Sequence, residues 1–162
     1  MNYGMIHRES MVDGPGVRVS VFVSGCPHHS PGCFNQELWW QYAGSIYTKD
    51  TQAEILLAAE PGYIAGLSVL GGEPLAPYNQ KGVLRLCQSF REHFPNKTIW
   101  LYTGYTWEQV KDLPVMDYID VLVDGRFVEA EKDLTLKFRG SRNQRIIDVQ
   151  ASKNGTIKEV IV

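Results

Sequence analysis

The chain has 162 residues, enough for one compact domain with a real core and too few for two ordinary ones. Sixteen basic against eighteen acidic side chains give a net charge of -2, which excludes a global field drawing the chain to nucleic acid or to an anionic membrane; partners have to be recognised locally. No stretch reaches the roughly 18 apolar residues of a membrane helix, and the first ten residues hold no apolar signal core. Three cysteines, two of them clustered, favour metal or redox chemistry in a reducing cytoplasm over a disulfide framework.

Residues 1–16 end in Asp13-Gly14-Pro15-Gly16, a turn that stops any preceding element and hands the chain into a strand. Val17 to Ser24 is β-branched and aromatic, interrupted by Arg18 and Ser20, and predicts a mostly buried strand. It opens into the loop Gly25-Cys26-Pro27-His28-His29-Ser30-Pro31-Gly32-Cys33-Phe34-Asn35, with two cysteines seven residues apart at a strand's C-terminal end. In βα folds reactive groups gather there, because the loops converge on the crevice above the sheet.

Gln36 to Tyr42 predicts a short helix over that loop, and Thr51 to Glu60 a helix capped by Thr51 or Asp50 with Ile55, Leu56 and Ala59 on one face. Ile64 to Leu70 is a second buried strand, running into Gly71-Gly72-Glu73-Pro74. Asn79 to Phe94 has the helical period in Val83, Leu84, Leu86, Cys87 and Phe90, which makes Cys87 a small core residue. Thr98 to Tyr102 is a third strand, Thr106 to Leu113 a short helix with Thr106 as N-cap, and Tyr118 to Val123 a fourth strand. The segment 126–145 is more charged, with Arg139, Arg142 and Arg145 around Gly140-Ser141, and the tail carries two β-like runs, Ile146 to Val149 and Thr156 to Val162. Alternating strands and helices imply parallel strands with right-handed crossovers. The expected fold class is α/β, a partial (β/α) barrel or an open, mostly parallel sheet, with residues 1–162 forming a single domain.

With cysteine at position 30 the loop would read C-x3-C-x2-C, three thiolates wrapping one face of an iron-sulfur cube and leaving the fourth iron free. Residue 30 is serine. Even so, the segment Cys26 to Asn35 resembles the cluster loop of the radical S-adenosylmethionine (radical SAM) enzymes, and within them the activating proteins of anaerobic ribonucleoside-triphosphate reductase. The turn 13–16, Gly71-Gly72-Glu73-Pro74, Trp100 to Tyr105, Asp120 to Phe127 and Arg139 to Arg145 are similar to the same group in the same order, so the resemblance spans roughly residues 1–148.

That resemblance implies a 4Fe-4S cluster on Cys26, Ser30 and Cys33, and S-adenosyl-L-methionine held at its adenosyl part by Gly32, Cys33 and Phe34 and at its methionine amino group by Gly71, Gly72 and Glu73. It implies one-electron cleavage to a 5'-deoxyadenosyl radical, which takes hydrogen from a glycine of the large subunit of anaerobic ribonucleoside-triphosphate reductase. The implied electron source is a reducing protein such as flavodoxin or ferredoxin, and the setting is cytoplasmic, with neither nucleic acid nor membrane as a partner. Serine is a harder and far less acidic ligand than cysteine, so a cube on two thiolates and one alkoxide is expected to be less stable or differently poised.

Other readings of the same residues stay open. Cys26, Cys33 and one of His28 and His29 make a candidate zinc site; a Cys-His nucleophile is the weaker reading, with no third orienting group apparent and histidines beside proline usually solvated. The 139–145 arginines are either a grip for a phosphate or acidic partner surface or a solvated basic face. A non-catalytic partner-binding module on the same scaffold and an activase of another glycyl-radical enzyme, such as pyruvate formate-lyase, complete the alternatives.

Overall fold

In the computed structural model, which describes residues 1–162, the strands β1 (Asn2–Ser10), β2 (Val17–Val23), β3 (Ser45–Ile46), β4 (Ile64–Gly71), β5 (Thr98–Tyr102), β6 (Val121–Asp124) and β7 (Arg145–Asp148) form one sheet. Its order is β3-β1-β2-β4-β5-β6-β7. The central run β2, β4, β5 and β6 is parallel, connected through α1 (Lys49–Ala58), α2 (Gln80–His93) and α3 (Trp107–Val110), and α4 (Val149–Ser152) follows β7. Both margins are antiparallel: β1 pairs β2 and β3, and β7 pairs β6. The expected α/β class holds, with a mixed sheet around a parallel centre.

One face of the parallel strands supplies Val19, Val21, Val23, Leu67, Val69, Ile99 and Leu101, packed against Ile55 of α1 and Val83, Leu86 and Phe90 of α2. Cys87 belongs to the same cluster, wholly buried, and burial pushes its thiol up to about 12. Its expected place in the core is the observed one. Cys87→Ser would bury a hydroxyl in an apolar setting, at a cost of about 1–3 kcal/mol. The expected result is a lower urea midpoint with bound iron unchanged, since the thiol belongs to the core cluster and not to the cavity wall that the other two cysteines line.

Several boundaries differ from the sequence reading, each for a local reason. The first helix begins at Lys49 because Thr48, not Thr51 or Asp50, is its N-cap: Thr51 N donates to Thr48 Oγ1 at 3.3 Å, and Thr48 N to Thr51 Oγ1 at 3.1 Å. Thr106 is the N-cap of α3 as expected, closed by Gln109, but the helix stops at Val110. The segment after Asn35 forms only the 3-10 turn Gln36–Leu38. Tyr118 lies at the end of another 3-10 turn, Pro114–Asp117, so β6 starts three residues later than the apolar run. Strand β1 escapes a pattern search because its burial does not alternate; it exists because β2 offers it an edge. The run Thr156 to Val162 contributes a single bridge, Ile147 to Glu159, not a strand.

Candidate functional site

Strands β2 and β4 end in register, Val23 opposite Gly71, so the loops that follow them leave the sheet side by side. Gly72 N donates to Val23 O at 2.9 Å and Glu73 N to Gly25 O at 2.6 Å. A Cβ at Gly72 would sit 2.4 Å from Gly25 O, and at Gly71, where φ is +119°, 2.5 Å from Val23 O. The two glycines are therefore demanded by the approach of one loop backbone to the other, in addition to any approach by a ligand. Asn35 closes the junction from the far side of the cysteine loop, its Nδ2 donating to Gly71 O at 3.2 Å.

The cysteine loop is held at both ends. Gly25 N donates to Leu38 O at 2.7 Å and Cys26 N to Trp39 O at 3.1 Å, and a tight turn returns Cys33 N to Ser30 O at 3.0 Å. Above the sheet lies a cavity of about 500 Å3 whose wall includes Cys26, Ser30, Cys33, Phe34, Gly71, Gly72 and Glu73. Thus seven of the eight residues singled out from sequence meet at one cavity. Gly32 is the exception: its open side packs on Glu129, where a Cβ would come within 2.8 Å of the carboxylate carbon.

Burial pushes the Cys26 thiol up, opposed by the backbone N–H groups of His28 and His29. Asn35 N points at Cys33 Sγ at 3.4 Å. Both sulfurs therefore face backbone donors, and for Cys26 burial is the larger effect and favours the neutral thiol. The three side chains line one cavity wall, and in chemistry one of the three donors is oxygen. A zinc site does not fit, because no group of three or more His, Cys, Asp and Glu side chains is placed to hold a metal ion. His28 Nε2 is spent on Glu73 Oε1 at 2.7 Å, with its ring edge on Tyr105, and His29 lies flat on Trp39 at 4.4 Å. The same pairing removes His28 as the base of a Cys-His nucleophile.

Glu73 faces inward and is fully buried. Its Oε1 accepts from His28 and from Gly104 N at 2.7 Å, and its Oε2 from Leu75 N at 2.8 Å and Thr103 Oγ1 at 2.7 Å. The His28, Thr103 and Gly104 partnerships were not legible in the sequence, because they join loops 30 to 45 residues apart. Nor was the far wall, which the charged segment after β6 supplies through Arg126, Phe127, Leu134, Leu136, Phe138 and Arg139. Phe34 is more than half exposed, tilted against Phe127 at 5.1 Å with Lys132 Nζ 5.2 Å from its ring centre. Of the arginines expected to grip an anion, Arg145 is already engaged by Asp124 and Glu108 and holds the Glu108 carboxyl below its usual range.

A family model described as a 4Fe-4S single cluster domain matches residues 12–147. The chain is 41% identical over 148 residues to the anaerobic ribonucleoside-triphosphate reductase-activating protein of Enterobacteria phage T4, covering 90% of this chain and 93% of the phage protein. The chain belongs to this family. The proteins of the same description from Vibrio cholerae and Escherichia coli are 42% and 41% identical, over 90% and 89% of this chain and 97% and 96% of theirs. The matched 4Fe-4S segment begins at the residue before the 13–16 turn and ends inside β7, so it takes in both strand-end loops and the far wall of the cavity. No helix of the family member described here is long and apolar enough to cross a membrane.

Proposed function

We propose that the chain activates anaerobic ribonucleoside-triphosphate reductase, as one radical SAM domain over residues 1–162 whose sheet is of the partial (β/α) barrel type. The observation that carries this reading is the meeting at one cavity of Cys26 and Cys33 with the Gly71-Gly72-Glu73 backbone. Cys26, Cys33 and the Ser30 hydroxyl would hold a 4Fe-4S cluster, with Ser30 standing where a third thiolate is expected. When bound together, the cluster and S-adenosyl-L-methionine supply the electron transfer and the carbon radical that takes hydrogen from a glycine of the large reductase subunit.

The chain's own residues bind, orient and shield. Phe34 and the ring of Phe127 beside it offer aromatic surface to an adenine. The Gly72 carbonyl, which accepts no hydrogen bond from the protein, is free to take one from an ammonium group. The wall built from the segment after β6 would shield the reacting groups from water. A flavodoxin or ferredoxin would supply the electron. A second reading, a docking protein without radical chemistry, is favoured by one observation, the oxygen at position 30.

The test is anaerobic mixing of the reconstituted chain, reductant and S-adenosyl-L-methionine with the large reductase subunit and, separately, with pyruvate formate-lyase. A glycyl radical in the EPR spectrum of the reductase alone, with 5'-deoxyadenosine released, is the expected result. Complex formation with no 5'-deoxyadenosine, even from the Ser30→Cys form, would establish the docking reading, and a radical on pyruvate formate-lyase alone would reassign the partner.

A further inference from the structure

We propose that the Glu73 carboxylate does not touch the cofactor's ammonium group, but is the staple that joins three strand-end loops, with His28 as the positioning residue that fixes it. This deepens the reading above and rests on it for the identity of the ligand. An ionised carboxylate has about four acceptor positions, and four protein donors already use them, from His28 after β2, Leu75 after β4, and Thr103 and Gly104 after β5. The His28 and Glu73 side chains are 5% and 0% exposed, so neither can turn outward without breaking the junction. Gly104 makes the arrangement possible, since a Cβ there would lie 2.5 Å from His28 Cδ2 and 2.7 Å from Nε2.

The backbone does what the side chain cannot. Glu73 N is bound to Gly25 O, and Asn79 Nδ2 clamps both Ser24 O and Glu73 O, at 2.9 and 3.0 Å. Fixing Glu73 thereby fixes Gly72, whose carbonyl is left for the ammonium. His28 lies two residues from Cys26, so the same contact sets the distance between the cysteine loop and that carbonyl.

The experiment uses the full chain with His28→Ala, His28→Gln, Glu73→Gln and Gly104→Ala, and the double variant of His28→Ala with Glu73→Gln. Two readouts are taken: amide hydrogen exchange at Gly72, Leu75 and Gly104 in cluster-free protein, and the dissociation constant for S-adenosyl-L-methionine in reconstituted protein. Losing one charge-assisted hydrogen bond is worth roughly tenfold or more in a local equilibrium. His28→Ala and Gly104→Ala are expected to speed exchange of the amide at position 104 and weaken cofactor binding by about that factor, with iron content retained. His28→Gln, which keeps a donor, should recover part of both, and the double variant should be little worse than the worse single one. If Glu73→Gln weakens binding about 100-fold while exchange at Gly104 and the His28 variants stay unchanged, the carboxylate is a direct ligand and the proposal falls. The exchange readout needs neither cluster nor cofactor, so a failure of the activase reading leaves it able to decide the staple.

Discussion

Replacing Ser30 by cysteine is expected to raise both the iron retained after anaerobic reconstitution and the rate of S-adenosyl-L-methionine cleavage. The rate gain should be on the order of tenfold or more, equivalent to about 1.4 kcal/mol in the barrier. Ser30 lines the cavity with Cys26 and Cys33 and is almost fully buried, so the substituted thiol would stand on the same wall as the other two. The turn that returns Cys33 N to Ser30 O uses main-chain atoms only and survives the change. A thiolate forms near neutral pH and matches iron in softness, whereas a serine hydroxyl has to lose a far more tightly held proton before it ligates. Iron and sulfide per chain, the cluster's EPR signal under dithionite, and 5'-deoxyadenosine released per minute would be compared in the two forms. Equal iron with equal cleavage would mean that the oxygen serves as well as the sulfur, and that the loop rather than the donor sets cluster stability.

Arg18→Ala is expected to cost about 3–5 kcal/mol of stability, the sum of several lost hydrogen bonds and a cavity, partly offset by the guanidinium's own burial. Arg18 is fully buried in β2, where burial lowers its pKa to about 10, and all of its partners are neutral. Nε donates to Ser68 Oγ at 2.9 Å, Nη1 to Pro15 O and Thr98 Oγ1 at 3.2 and 2.9 Å, and Nη2 to Leu67 O and Thr98 O at 3.0 and 2.9 Å. These bonds tie β2, β4 and β5 together and hold the 13–16 turn against the sheet, with Ser68 Oγ passing a further bond to Asp13 O at 2.7 Å. Val12 and Asp13 line the cavity, so loss of the arginine should loosen the site as well as the core. Urea denaturation gives the stability, and Arg18→Lys should fail to recover it, because an ammonium cannot reach the acceptors that the planar fork spans. An Arg18→Met form as stable as the parent would show that desolvation cancels the hydrogen bonds.

How far the residues speak for themselves differs from element to element. The runs 17–24, 64–70 and 98–102 could be read as strands because they are continuously apolar enough to be buried on both faces, and 79–94 as a helix because Val83, Leu86, Cys87 and Phe90 repeat at its period. Strand β1 and the fragment β3 had no such pattern, since their backbone bonds depend on a neighbour's edge rather than on their own side chains. The helix cap at Thr48 lies two or three residues before the expected Asp50 or Thr51, because all three side chains are able to cap and only the closed box distinguishes them.

By itself the sequence determined which groups lie near one another along the chain: two thiols and a hydroxyl in one loop, and a Gly-Gly-Glu turn one βα unit later, are properties of spacing and side-chain type. Only the tertiary structure decided what those groups face. Parallel pairing of β2 with β4 and of β4 with β5 brought the strand-end loops into contact and closed Glu73 inside four protein donors, a result that no local pattern encodes because three of those donors lie in loops that follow other strands.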